Sequence, residues 1–220
     1  MQRQFDQELA ELREKLLAMA SHAEEAVHAA VRALTERNDE LARKVAEDDS
    51  IIDQYEIDLD ELAVRLLALK APVATDLRLI TVTMKISHDL ERVGDEATTI
   101  ARRALELNKE PPLKEYVDIP RMAKLGLEML KEALDAFVNR APERARAIIP
   151  RDKEVDAINK QVHRELVGFM IENPATITRA LNLMFISKCL ERIADHATNI
   201  AEEVVYVYEA RDIRHSGKQG

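Results

Sequence analysis

Two hundred and twenty residues, 46% of them hydrophobic and 33% charged, suffice for one large or two small domains with a sizeable core. Aromatic residues at 4% and only 5 glycines, against abundant Ala, Leu, Glu, Arg and Lys, argue against a β-rich fold and for helices, because these side chains lose little freedom in a helix. The net charge of −9 argues against general nucleic-acid binding and leaves cations or basic protein surfaces as partners.

The N-terminal Met1-Gln2-Arg3-Gln4-Phe5-Asp6 becomes charged at once and lacks an apolar signal core. The first helix is expected from Phe5 to Arg37, with Leu9, Leu12, Leu16, Met19, Ala23, Ala26 and Ala30 recurring at three- and four-residue steps. Asn38-Asp39 reads as a turn and N-cap, and a second helix runs from Glu40 to Lys70, closed by Pro72. A third starts near Thr75 and ends near Leu107. Between Asn108 and Pro120, the prolines at 111, 112 and 120 break the chain near its middle. Pro120 precedes a helix ending near Asn139, then comes one from Pro142 to Glu172 that Pro150 kinks or splits. Asn173-Pro174 caps a last helix reaching Ala210, and residues 211–220 form a polar, frayed tail. No stretch approaches the ~20 apolar residues of a membrane span. Cys189 is the only cysteine, which rules out an intrachain disulfide or a Cys zinc site. Together these features lead to the expectation of a cytoplasmic protein.

The two halves repeat. Ser87 to Ala101 aligns without gaps on Ser187 to Ala201, with nine of the fifteen positions identical, including Leu-Glu-Arg, Asp and Ala-Thr. Asp49 to Asp53 aligns on Asp152 to Asp156 at an offset of 103, which also pairs Arg37 with Arg140 and Ala42 with Ala145. The expected fold is therefore all-α: two tandem three-helix bundles, residues 1–110 and 121–210, joined by a linker at 111–120. Each helix is about 45 Å long.

Glu91 and Asp95 stand four apart, so their carboxylates stack one turn apart on one helix face. The same spacing recurs at Glu191/Asp195, Asp49/Asp53 and Asp152/Asp156. One such pair is commonly just a solvated face; four at matching places are harder to dismiss. Asp53 and Glu91 each lie 19 residues from the turn at Pro72, and Asp156 and Glu191 lie 18 and 17 residues from Pro174, so the two antiparallel helices bring both pairs to similar heights. Four carboxylates so close call for protons or for a hard multivalent cation with oxygen ligands. One metal site per half is expected, on Asp49, Asp53, Glu91 and Asp95 and on Asp152, Asp156, Glu191 and Asp195. Arg92 and Arg192 stand beside the acidic face and have no assigned part.

Other candidates are weaker. Glu25 and His28 match the Glu-x-x-His element of di-iron bundle oxidases but have no copy in the second half. His196 follows Asp195 as a candidate nitrogen ligand, yet Glu96 replaces it in the first copy. His22, His88 and His163 have no partners at metal spacing and read as ordinary helix-face residues. Cys189 reads as a small buried side chain. A metal-free helical scaffold remains the plainest alternative.

The paired Glu-Arg-Val-Gly-Asp and Glu-Arg-Ile-Ala-Asp segments, each followed by Ala-Thr and Ile-Ala, resemble the PhoU family of phosphate-signalling regulators, as do Thr75-Asp76-Leu77-Arg78 and the tandem architecture. The resemblance implies multinuclear metal clusters on the four acidic pairs, with iron, manganese, zinc or magnesium as the ion. It also implies a non-enzymatic cytoplasmic adaptor, a homodimer, working between a phosphate ABC transporter and a membrane sensor histidine kinase. Such an adaptor reaches the membrane only through those partners and keeps the starvation response off when phosphate is plentiful. In the second half, Ile177-Thr178-Arg179 stands near the place of Asp76-Leu77-Arg78, so the halves need not be equivalent.

Overall fold

The computed structural model describes residues 2–214. Among them the chain is all-helical, with no strand: α1 (Gln2–Thr35), α2 (Asp39–Glu47), α3 (Asp49–Lys70), α4 (Ala74–Leu107), α5 (Asp118–Val138), α6 (Pro142–Ile148), α7 (Asp152–Glu172) and α8 (Ile177–Glu209). Single 3₁₀ turns at Ile149–Arg151 and Pro174–Thr176 precede α7 and α8. α1, α2–α3 and α4 pack as one three-helix bundle, and α5, α6–α7 and α8 as the other.

The two bundles meet along α4 and α8. Lys85 bonds Glu203, Asp89 meets His196, Arg192 donates to Glu96 and Arg103 donates to Asn182. Advancing along α4 means retreating along α8, so the two helices run antiparallel. The contacts are also related by the repeat. Glu96 meets Cys189, while His196, a hundred residues beyond Glu96, meets Asp89, a hundred before Cys189. A pseudo-twofold axis thus passes near Arg92 and Arg192.

Helix ends follow the same duplication. Arg37 and Arg140, both with φ 54°, occupy the left-handed position after α1 and α5. The next amide reaches back five residues, Asn38 N–H to Ala33 O and Ala141 N–H to Ala136 O, each at 2.9 Å. Both ends are therefore Schellman caps without the usual glycine. Asn38 also accepts from the Leu41 amide at 3.0 Å and so caps α2, as the sequence leads one to expect. Along α1 the expected stripe is buried except at Ala26, which is half-buried while Val27 is fully buried. The stripe drifts because 3.6 residues per turn is not an exact multiple of three or four.

One expectation needs correction. The second helix is not continuous from Glu40 to Lys70: it breaks at Asp48 (φ −78°, ψ −4°). The Asp48 amide keeps its bond to Lys44 O, but the Ile51 amide turns to Asp48 O, three residues back. The segment Glu47-Asp48-Asp49 puts acidic groups at the start of α3, where the helix dipole favours them. In the second half Pro150, lacking an amide proton, breaks the helix at the equivalent place. As a result α3 and α7 begin on Asp49 and Asp152, two of the expected ligands.

The connection between the bundles is fastened to both: the Arg37 guanidinium donates to Asn108 O at 2.6 Å and Glu110 O at 2.8 Å, and Arg179 of α8 donates to Pro111 O at 3.0 Å. α5 starts at Asp118 rather than after Pro120, because Pro120 fits within a first turn whose amides need no internal acceptor. Of the tail expected at 211–220, residues 215–220 lie outside the described residues, and Arg214 is tied to Asp212 and Glu203. Among the described residues, no helix is long and apolar enough to cross a membrane.

Candidate metal centre

In the first bundle, α3 contributes Asp49 and Asp53 and α4 contributes Glu91 and Asp95. The electrostatics tie them together. Burial first, then the neighbouring charges of Asp49 on its own helix and Asp95 on the facing one, raise the Asp53 carboxyl above the usual carboxylate range. Glu91 is likewise raised, by burial, then by Asp95 and Glu56, against the opposing pull of Arg92 and His88. The antiparallel α3–α4 hairpin thus places Asp53 within electrostatic reach of Asp95.

The second bundle repeats the arrangement more tightly. Burial, then Asp156 and Glu191, raise the Asp152 carboxyl. Asp195 is pushed up to about 6, by burial, then by Glu191, Asp152 and Asp156, with Lys188 opposing. Glu191 is only 8% exposed and is paired with Lys188. Electrostatic coupling therefore links all four expected residues in the second bundle, but in the first it crosses the hairpin only between Asp53 and Asp95, and among the described residues neither set of four brings three ligand atoms within 4.8 Å of one another.

The donor set fits a hard cation. Carboxylate oxygens from two helices are the ligands such ions prefer. Two of these oxygens, Glu91 Oε2 and Asp152 Oδ1, are buried without a hydrogen-bond donor. Arg92 Nε approaches the first at 3.3 Å without the alignment of a hydrogen bond. Buried polar atoms of this kind are costly and call for a partner.

The motif arginines, unassigned from sequence, have different neighbours. Arg92 stays local, against Glu91 and, at 3.1 Å, Asp95. Arg192 crosses the bundle interface to Glu96, also at 3.1 Å. His196 does not join Asp195; its Nδ1 lies 2.8 Å from Asp89 in the other bundle. Glu25 lines a recess with His22, Asp48 and Asp49, whereas His28 is coupled to Glu24 on the side of α1 that faces Lys131 and Asp135. The Glu-x-x-His pair is thus divided between two surroundings. Cys189 is buried, and its burial and Glu96 raise its thiol far above the usual range, so it is an inert packing residue.

Two residues were missed. Glu56, one turn beyond Asp53 on α3, lies 3.1 Å from His88 Nδ1, and Glu56, His88 and Glu91 each offer a ligand atom within 4.8 Å of the others. His88 reads from the sequence as having no partner, yet Glu91 stands three residues on along α4 and joins the group; only Glu56 comes from the facing helix. The signal was available across the hairpin: Glu56 and His88 lie 16 residues on either side of Pro72.

The PhoU domain profile matches the chain twice, over residues 16–104 and 119–204. The chain belongs to the PhoU family. The two PhoU-domain matches fall within α1–α4 and α5–α8 respectively. A Pseudomonas aeruginosa relative described as a phosphate-specific transport system accessory protein PhoU homolog is 44% identical over 215 residues, 97% of this chain and 89% of the relative. An Aquifex aeolicus relative of the same description is 41% identical, covering 94% of each. The crystal structure of PhoU from Pseudomonas aeruginosa superposes with a TM-score of 0.90 at 43% identity, over 94% of this chain and 100% of that one. The phosphate transport system regulatory protein PhoU from Streptococcus pneumoniae gives 0.89 at 31% identity, over 95% and 99%.

Proposed function

We propose that the chain is a non-enzymatic accessory protein of phosphate uptake that binds metal ions on its two carboxylate clusters. It acts in the cytoplasm, as a homodimer, as the adaptor between a phosphate ABC transporter and a membrane sensor histidine kinase, and it keeps the starvation response off when phosphate is plentiful. The metal reading is supported by electrostatic coupling between acidic residues of facing helices, Asp53 with Asp95 in the first bundle and Asp195 with Asp152 and Asp156 in the second, with raised carboxyl groups in both. The transport reading is supported by relatives named for phosphate-specific transport over nearly the whole chain.

Asp49, Asp53, Glu91 and Asp95 would hold one set of ions, and Asp152, Asp156, Glu191 and Asp195 the other. Iron, manganese, zinc and magnesium all suit carboxylate oxygens. A bound cation would supply compensating charge to these carboxylates. It would also clamp α3 to α4 and α7 to α8, stiffening the outer faces on which partner proteins would dock.

Elemental analysis of wild type, Asp95→Ala and Asp195→Ala after incubation with each metal tests the first part. Metal is expected in the wild type and less in each variant, and a wild type that stays metal-free refutes it. Deleting the gene and measuring alkaline phosphatase in phosphate-rich medium tests the second. Induction is expected, and full repression refutes the regulatory role.

A further inference from the structure

The first bundle carries a feature that the second lacks. At the offset of the repeat, Glu56 corresponds to Asn159 and His88 to Lys188. In the second bundle these positions are internally satisfied: Ser187 donates to Asn159 at 2.7 Å, and the Lys188 ammonium pairs with Glu191. In the first bundle the counterparts are a carboxylate and an imidazole. Ser87, the equivalent of Ser187, is 0% exposed and its Oγ has no hydrogen-bond partner. Glu91, the equivalent of Glu191, keeps a buried oxygen without a donor. Where the second bundle places Lys188 against its glutamate, the first has the neighbouring Arg92 at 3.3 Å from Glu91 Oε2 and, at the positions of Asn159 and Lys188, a glutamate and a histidine whose ligand atoms and that of Glu91 lie within 4.8 Å of one another.

We infer that Glu56, His88 and Glu91 form a mononuclear site for a borderline divalent transition ion, adjoining the carboxylate cluster and found in the first bundle alone. One imidazole nitrogen with two carboxylates suits Zn²⁺, Fe²⁺ or Mn²⁺ and disfavours Mg²⁺, which prefers oxygen and keeps its waters. The site is open to an incoming ion. His88 is exposed and borders a groove between the bundles with Asp60, Met84 and Asn199. Lys85, 3.0 Å from Glu203, and Arg214, paired with Glu203 and Asp212, are already engaged; the competing cation is Arg92, 3.3 Å from Glu91 Oε2, which also pairs with Asp95 and would turn to it as an ion enters. In the second bundle the triad positions hold Asn159, Lys188 and Glu191, with Lys188 tied to Glu191, and they offer no nitrogen ligand; the imidazole of His163, one turn further along α7, is turned to Met184 O instead. The two halves would therefore differ in metal preference. The inference rests on the proposed carboxylate clusters only through Glu91, which both sites share.

The test uses the full chain, stripped with chelator and titrated with Zn²⁺. Bound ions are counted by competition with a chromophoric chelator, and the histidine ring nitrogens are followed by NMR. Two variants separate the readings, each checked for helical content by circular dichroism. Glu56→Asn with His88→Lys copies the second bundle, and Asp53→Asn with Asp95→Asn dismantles the cluster but spares the site. The wild type is expected to show the His88 ring shifting in step with one equivalent of zinc. The first variant should bind one ion fewer, with affinity at that site lowered on the order of 100-fold or more, since loss of outer contacts alone costs 10–100-fold. The second should keep the His88 response while losing other zinc. An unmoved His88 ring, an unchanged ion count in the first variant, or loss of the His88 response in the second would each overturn the inference. Should the second variant bind as much zinc as wild type, with the His88 shift intact, the cluster reading falls in the first bundle and this site stands.

Discussion

Asp195 offers the sharpest test of the charge cluster. Its carboxyl is pushed up to about 6 in the folded protein, by burial and by Glu191, Asp152 and Asp156, whereas an unfolded chain holds an aspartate near 3.9. The folded state therefore binds the proton more tightly, and stability falls as pH rises between roughly 4 and 6, the full cost being felt above that window. The difference converts to about 3 kcal/mol, but Asp195 retains solvent access, and screening reduces this to about 1–2 kcal/mol. Asp195→Asn keeps the shape and removes the charge. In chelator-treated protein at pH 7.5 it should raise the melting temperature by about 3–6 °C, and at pH 4 it should change nothing. With metal added the sign should reverse, because the wild type gains the free energy of ion binding and the variant has lost a ligand. Thermal melts followed by circular dichroism from pH 4 to 8, with and without metal, read all of this. A metal-free variant that is less stable than wild type at pH 7.5, or a difference independent of pH, refutes the account of Asp195.

Further outcomes follow from the differences between the halves. Arg192→Ala should destabilise the protein by about 1 kcal/mol, since it strips the mostly buried Glu96 of its partner across the interface; Arg92→Ala should cost less and should tighten metal binding by freeing Glu91 and Asp95, both seen by denaturant titration and metal competition. A Cβ on Gly94 would lie 2.8 Å from Ile52 Cδ1, and the second repeat holds Ala194 with Val155 at the matching positions. Gly94→Ala and Ile52→Val together should therefore be more stable than the sum of the single variants by about 1 kcal/mol in a double-mutant cycle. Arg140→Gly should stabilise by about 0.5–1 kcal/mol by relieving a left-handed residue, while Arg37→Gly gains the same relief but loses two bonds to the linker carbonyls and should be neutral or destabilising in urea melts.

What the sequence disclosed depended on whether a signal lay along one helix or between two. The all-helical class, the duplication and the four acidic pairs are local patterns of three, four or a hundred residues, and each is present in the structure. The break at Asp48 was hidden because no proline marks it, although Pro150 marks its counterpart. Read across the repeat, that proline already implied a turn before Asp49. Glu56 was hidden for the complementary reason: it is unremarkable on α3, and only the hairpin about Pro72 makes it a neighbour of His88, whose i,i+3 spacing to Glu91 was overlooked.

The motif arginines sharpen the same point. Arg92 and Arg192 hold the same place in the repeated Leu-Glu-Arg-x-x-Asp motif, yet one neutralises the acidic residues of its own bundle and the other joins the bundles. What decides between them is the residue on the facing helix: Arg192 finds Glu96 across the interface, whereas the same contact made from Arg92 would meet His196, which is itself paired with Asp89. A single exchange, Glu in one copy for His in the other, thus frees Arg92 to fall back on Glu91 and Asp95 and commits Arg192 away from its own cluster. The duplicated sequence builds two clusters, and the unlike residues at 96 and 196 make their electrostatics unequal.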